Sequence, residues 1–444
     1  MALDADRNLA AEKEESFIKW LQKGLESKKA QTPNAKKIHQ QFETFYLPPI
    51  PSKTERSCSN DAAVHLPQEI ILQILSYIPR DPTSQSYLHA CSLVSRSWYS
   101  ATVPLLYHSP HFTGKNFRQF VATVCPSINA HIRKSELAGL VRRLDMGNLV
   151  HDGSKSLTAR LLGRVKGGLE EFVAPQASFA INCLAALSKC THLHHLDLSL
   201  ISESLSLSDL FHSIGSLENL ISLRFPRSST NDTKTNALHH SWPPFLQTLH
   251  ISGGLRDASL LYFCTAPPTL TSLTISNCPN LSMAFISPFL KAIGPHLTHL
   301  RISENMPQLG YAALDNLLLQ LPSLLHLDLS TDFITAKFFV SASKISPAHP
   351  LNFLELSSPR QGFRYDEQEI DRISSDHIFR AIDAGGLSNL RRLRVHRALG
   401  WTDSAEARVE LKELSELLEA MAREEGSGSA GVWIFNEHGT GTIR

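Results

Sequence analysis

Leu297-Thr-His-Leu300-Arg-Ile302, Leu324-Leu-His-Leu327-Asp-Leu329 and Leu351-Asn-Phe-Leu354-Glu-Leu356 are one hexapeptide pattern written three times. Their middle leucines stand 27 residues apart. Outward from this stretch the same L-x-x-L-x-L pattern recurs, with one apolar residue exchanged for another in places. On the N-terminal side it reads Leu270-Thr-Ser-Leu273-Thr-Ile275, Leu246-Gln-Thr-Leu249-His-Ile251, Leu220-Ile-Ser-Leu223-Arg-Phe225 and Leu193-His-His-Leu196-Asp-Leu198. Still earlier come Leu169-Glu-Glu-Phe172-Val-Ala174 and Val141-Arg-Arg-Leu144-Asp-Met146, and on the C-terminal side Leu390-Arg-Arg-Leu393-Arg-Val395. In chain order the middle residues are separated by 28, 24, 27, 26, 24, 27, 27, 27 and 39 positions.

That spacing is the period of a leucine-rich repeat solenoid. Helical patterns lie between the short extended segments, for example Phe285 to Ile293 and Asp315 to Leu321. Each unit therefore reads as strand, loop, helix. One unit cannot bury its apolar edge alone, so neighbours stack into a continuous core. The predicted fold class is α/β: a parallel sheet of about ten strands, roughly 45 Å long at the spacing of adjacent strands, with helices outside.

Side chains alternate along a strand, so the leucines of L-x-L point inward and the residues between and after them line the concave face. This exposes Arg143, Asp145, Glu171, His195, Asp197, Arg224, His250, Thr274, His299, Arg301, His326, Asp328, Phe353, Glu355, Arg392, Arg394 and His396. The row is mixed in its middle and basic at its C-terminal end. We expect a target protein to dock on the C-terminal half, through His299, Arg301, His326, Phe353, Arg392, Arg394 and His396. Arg392 and Arg394 suit an acidic or phosphorylated segment. The gap of 39 carries a charged, aromatic loop, Pro359 to Glu369, with Phe363, Arg364 and Tyr365, and Trp401 lies near the same end. Five histidines on this face also raise a metal or pH-switch reading, for which no ligand geometry can be written from sequence.

The solenoid is expected over 140–400. Beyond it, residues 401–444 are expected to form a cap: an amphipathic helix over 403–424 with Val409, Leu414, Leu417 and Met421 on one side, and a last strand at Val432-Trp-Ile-Phe435. Before it, 111–139 is a joining segment with a helix from Asn116 to Cys125. Residues 1–61 read as two polar helices, over 9–29 and 34–45, followed by a linker over 47–61.

Residues 62–110 read differently. Leu66-Pro67-Gln-Glu69-Ile70 opens a helix, where a proline in the first turn forfeits no hydrogen bond. Ile70, Ile74, Leu75 and Ile78 follow on one stripe. A turn at Arg80-Asp-Pro-Thr83 precedes a second helix from Ser86 to Val94, and a third runs from Ser97-Trp98 to Tyr107. Three helices in so few residues leave a thin core, easily stabilised by docking on a partner.

This segment resembles an F-box. Leu66-Pro67-x-Glu69-Ile70 with Ile74-Leu75 is similar to its opening motif. Leu88-His-Ala-Cys91-Ser-Leu93-Val94-Ser95-Arg96-Ser-Trp98 is similar to its closing one, and Leu105-Leu106-Tyr107 to a tail common in fungal members. The resemblance implies binding to a Skp-type adaptor, and through it to a cullin scaffold with a RING subunit, while the repeats hold the protein to be ubiquitinated. Leu66, Pro67, Ile70, Ile74, Leu75 and Val94 are the positions it marks as adaptor-facing or core.

The remaining features set limits. Lys plus Arg total 43 against 42 for Asp plus Glu, which argues against a nucleic-acid binder that neutralises many phosphates. No stretch approaches a membrane span or a signal peptide. The seven cysteines form no CxxC pair, as expected of free thiols in a reducing compartment. Gly426-Ser-Gly428-Ser-Ala-Gly431 fits a dinucleotide fingerprint literally, but it follows a helix where such a site needs a strand. No Walker A, H-E-x-x-H or G-x-S-x-G pattern occurs. The expectation is a non-catalytic protein without cofactor or metal, in the cytoplasm, the nucleus or both. It would serve as substrate receptor of an SCF-type ubiquitin ligase. The alternatives are an F-box scaffold acting outside the ligase and a plain leucine-rich repeat interaction module.

Overall fold

In the computed structural model, residues 66–127, 135–149, 153–230, 241–303, 305–357, 373–424, 426, 429–436 and 439–442 are described. The expected helices over 9–29 and 34–45, the linker over 47–61 and the loop Pro359 to Glu369 lie outside them.

The helical module comprises α1 (Gln68–Ser76), α2 (Ser84–Ser92) and α3 (Arg96–His108). Pro67 takes the N-cap of α1 at φ −55°. Asp81 caps α2: its Oδ1 accepts from the Ser84 backbone N–H at 2.9 Å and from the hydroxyls of Ser84 and Thr83 at 2.7 and 2.6 Å. The Ser95 hydroxyl accepts from the Trp98 N–H and starts α3. The core is small. Ile71, Leu75 and Ala101 are buried, with Ile78, Leu88, Cys91, Trp98 and Leu105 packed against them. This corrects the stripe read for α1. Positions 71, 75 and 78 turn inward together, whereas Ile70 and Ile74, one residue round the helix, face outward.

The helix α4 (Gly114–Val124) joins this module to the first repeat. Phe112 meets Phe117 and Phe120 edge-on at 5.4 and 4.9 Å, and Tyr107 of α3 stacks on Phe120 at 6.2 Å. The backbone joins too: Arg142 N–H donates to the His108 carbonyl at 3.0 Å.

The solenoid strands are β1 (Arg143–Asp145), β2 (Glu171–Val173), β3 (His195–Asp197), β4 (Leu205–Ser206), β5 (Ser222–Arg224), β6 (Ser229–Thr230) and β7 (Thr248–Ser252). They continue as β8 (Ser272–Ser276), β9 (His299–Ser303), β10 (His326–Ser330), β11 (Phe353–Ser357), β12 (Arg392–His396), β13 (Gly431–Asn436) and β14 (Gly439–Thr442). Among the described residues, twelve of them form one sheet in chain order, and β4 pairs with β6 apart from it. The ten repeat strands pair in parallel at the expected places. β13 extends them in parallel, and β14 closes the edge antiparallel, a hairpin that sequence reading did not foresee.

Register aligns the repeat leucines. Leu144, Phe172, Leu196, Leu223, Leu249, Leu273, Leu300, Leu327, Leu354 and Leu393 face each other strand to strand, none more than 2% exposed. Each such side chain contributes roughly 1.5–3 kcal/mol by burial. Helices cover the other side, among them Lys155–Val165, Ile181–Leu187, Leu207–Ile214, Met283–Ile293, Ala336–Ala342 and Ser375–Asp383. Carboxylates, one half-buried and one buried, stitch repeat to repeat. Asp257 accepts from the N–H and hydroxyl of Ser282, and Asp315 from those of Thr335.

The C-terminal helix runs Ala405–Glu424 and buries Leu411, Leu414, Ser415, Leu418 and Ala422. Val409, placed on the packing side from sequence, is exposed, and Leu417 and Met421 are only partly buried. The helix is apolar over more than one stripe, and the Ser415 hydroxyl accepting from Val432 N–H orients it against β13. Trp401 is likewise corrected: it is buried and donates its Nε1–H to the Ile373 carbonyl, so it belongs to the core.

Candidate functional site

Two surfaces carry the residues singled out from sequence. The first is on the helical module. Leu66, Ile70, Ile74 and Tyr77, on α1 and the residues flanking it, recur at intervals of four, four and three and form a continuous stripe. Ile70 and Ile74 are 43% and 42% exposed. Val94 and Leu93, between α2 and α3, are more open still, at 65% and 56%. Leu75 is the exception among the marked positions: at 2% exposed it is core and offers no contact surface. A module that exposes this much apolar side chain over so small a core has the character of a docking surface.

The second surface is the concave face of the sheet, where register sorts the exposed residues into two rows. One row reads Arg143, Glu171, His195, Ser222, Thr248, Ser272, His299, His326, Phe353, Arg392. The other reads Asp145, Val173, Asp197, Arg224, His250, Thr274, Arg301, Asp328, Glu355, Arg394 and reaches Trp433.

The first row contains a ladder. His299 stacks on His326 at 4.3 Å between centroids and 14° between planes. His326 stacks on Phe353 at 5.5 Å, and the Arg392 guanidinium lies 5.8 Å from the Phe353 centroid. Burial lowers the pKa of both histidines, and for His326 the neighbouring His299 and Arg392 lower it further. Both rings are therefore neutral at physiological pH. A depression spans the sheet here from β8 to β11, floored by Leu273, Leu300 and Leu327.

The second row is a set of cross-strand ion pairs. Arg224 meets Asp197 at 3.2 Å, Arg301 meets Asp328 at 3.1 Å and Arg394 meets Glu355 at 2.6 Å. Arg394 also lies over the Phe435 ring at 4.8 Å. This changes the basic end read from sequence, because Arg394 is neutralised in place. Arg143, in the first row, contacts Glu171 and Asp145. Among the described residues Arg392 has no carboxylate within ion-pair distance.

Of the seven expected target-binding residues, His299, His326, Phe353 and Arg392 thus form one ladder. Arg301 and Arg394 flank it as paired charges. His396 stands apart, edge-on to Phe435 at 5.2 Å, with its Nδ1 accepting from the Ala398 N–H.

Sequence reading missed a supporting row. Ser199, Ser252, Ser276, Ser303, Ser330 and Ser357 each follow the last apolar residue of a repeat strand. Ser199 donates to Asp197, Ser276 bonds His250 Nε2 at 3.1 Å, and Ser303 accepts from Arg301 Nε at 3.2 Å. Three of these hydroxyls, on Ser199, Ser276 and Ser303, thus hold Asp197, His250 and Arg301 of the second row, whereas Ser330 donates to Asp332 instead. The serine that follows L-x-L in six of the ten repeats was the available signal.

Among the described residues, no helix is long and apolar enough to cross a membrane. Cys190 and Cys278 are buried, which pushes both thiols up to about 12, so neither offers a nucleophile.

A family model described as F-box-like matches residues 63–113. Over 339 residues the chain is 31% identical to F-box protein YDR306C of Saccharomyces cerevisiae, an alignment covering 76% of this chain and 67% of that protein. Over 333 residues it is 29% identical to Protein pof5 of Schizosaccharomyces pombe, covering 75% of this chain and 89% of that protein.

Proposed function

The chain belongs to the F-box protein family, and from that premise we propose that it is the substrate-recognition subunit of an SCF-type ubiquitin ligase. In this reading Leu66, Pro67, Ile70, Ile74 and Val94 contact a Skp-type adaptor, which links the chain to a cullin. Leu75 supports them from the core. The observation that carries the reading is the outward stripe Leu66, Ile70, Ile74 on a module whose small core, among the described residues, centres on Ile71, Leu75 and Ala101. An apolar stripe of this kind gains by being covered.

The concave face would hold the protein to be modified, on strands β9 to β12. Neither surface needs a catalytic group, cofactor or metal, since the subunit's work is to bring two proteins together. It would act in the cytoplasm, the nucleus or both.

Co-purification of the full chain with a Skp-type adaptor and a cullin tests the proposal. The intact chain should bring down both, and Leu66→Ala with Pro67→Ala should lose both. Adaptor without cullin would favour a scaffold outside the ligase. Neither partner would leave a plain interaction module and overturn the reading.

A further inference from the structure

The ladder on the first concave row ends abruptly. From β9 to β12 it carries His299, His326, Phe353 and Arg392, each against the next. On the β8 side the row continues with Ser272, Thr248 and Ser222. These side chains are too short to cover a ring. The face of His299 turned toward β8 therefore borders the depression, which Ser272 and Thr274 line from that side. At the other end stands Arg392, which alone of the five concave arginines has no carboxylate partner among the described residues.

We infer that the target is an extended peptide segment that places an aromatic side chain over Ser272, against the face of His299, and a carboxylate on Arg392. This rests on the reading of the concave face as the target surface and names the chemistry it selects. The aromatic ring continues a stack that the protein has already built. A cationic planar group finds no unpaired carboxylate here, because Asp328, which lines the same depression, already pairs with Arg301 at 3.1 Å. The carboxylate completes the pairing that the other four arginines already have.

The spacing follows from the sheet. Ser272 and Arg392 lie four strands apart, about 19 Å at the usual separation, which an extended chain spans in about six residues. A nucleic acid is the competing planar ligand. It is disfavoured because Asp197, Asp328 and Glu355 line the adjacent row and, of the arginines in the two rows, only Arg392 lacks a carboxylate among the described residues.

The test is panning of a displayed library of random dodecapeptides against the full chain, followed by fluorescence anisotropy on the enriched peptides. We expect an aromatic residue and an Asp or Glu separated by about five to seven positions, the spread set by the strand geometry. Arg392→Ala should weaken binding about tenfold or more, as loss of a charge-assisted bond does. Arg392→Glu should bind instead the peptides with Lys in place of the acid. Ser272→Leu, which fills the space over β8, should abolish the aromatic preference while the acid preference persists. Arg143→Ala, at the far end of the sheet, should change nothing, and thermal melting controls for folding of each variant.

Enriched peptides that respond to Arg392 and Ser272 substitution but lack the aromatic–acid pair would overturn this inference and leave the concave face as target surface. Peptides indifferent to every substitution on β8 to β12 would overturn both. A single-stranded oligonucleotide that displaces the peptides and outbinds them would replace the peptide by a nucleic acid.

Discussion

Asp315 receives two hydrogen bonds from Thr335 of the next repeat: the Thr335 N–H reaches Oδ1 and its hydroxyl reaches Oδ2, both at 2.7 Å. Asp315 is 8% exposed and Thr335 2%. The carboxylate caps the helix Ala336–Ala342 from outside that helix, so it couples neighbouring repeats. Asp315→Ala leaves a buried N–H and hydroxyl without their acceptor, which costs about 2–3 kcal/mol. Chemical denaturation should show a lowered midpoint with an unchanged slope. An unchanged midpoint would mean that the two repeats do not depend on this bond.

On α1, adjacent residues should behave oppositely. Ile71→Ala opens a cavity in a core of three buried side chains and should cost about 2–4 kcal/mol. Ile74→Asp, on the outward stripe, should leave the melting temperature within a degree or two of the parent while adaptor co-purification is lost. Retention of the adaptor by the Ile74 variant would refute the assignment of that stripe.

The Arg394–Glu355 pair should prove coupled. Glu355 keeps 12% of its side-chain exposure and Arg394 32%. Arg394→Ala strands a nearly buried carboxylate, and the double variant with Glu355→Gln should recover part of the loss. A coupling energy of about 1 kcal/mol is expected, reduced from a fully buried pair by the solvent that reaches Arg394. Strict additivity in the double-mutant cycle would show the pair to be energetically idle.

His349 makes stability depend on pH. It is buried, its Nε2–H donates to the Leu321 carbonyl at 2.9 Å, and its Nδ1 accepts from the Leu351 N–H at 3.2 Å. Burial pushes its pKa below 6.5 despite the opposing bond to Leu321. The unfolded chain then takes up the proton first. Stability is full above the unfolded value of 6.5 and falls as pH drops toward the folded one. His250, His299 and His326, also lowered chiefly by burial, act in the same direction. Asp81 does not interfere, because its hydroxyl bonds from Thr83 and Ser84 hold its carboxyl at about 2. Urea midpoints at about pH 8 and about pH 5.5, either side of the ordinary histidine value, should differ in the parent and differ less in His349→Gln. Equal differences in the two proteins would remove His349 from the account.

The repeat was legible because every L-x-x-L-x-L strand obeys the same local rule. Leu300, Leu327 and Leu354 could be placed inward, and His299, His326 and Phe353 outward, from alternation alone. Likewise the match of Leu66-Pro67 through Trp98 to an F-box is a property of linear order. Other features were less legible. In α1 and the turn after it, residues 70, 71, 72, 74, 75 and 78 are all apolar, so periodicity allows two inward faces, and packing against Trp98 and Ala101 selects Ile71 and Leu75. Trp401 carries a polar N–H that suits a surface equally well until Ile373 supplies its acceptor.

Sequence by itself therefore determined the parallel solenoid, its concave side and the helical module before it, because those follow from spacing within one chain segment. Tertiary structure alone decided which concave side chains meet. His299 and His326 are 27 residues apart, and their stacking exists only because parallel pairing sets the register of β9 on β10. The same cross-strand register gives Arg394 to Glu355 while leaving Arg392 against a phenyl ring, and no local pattern distinguishes those two arginines.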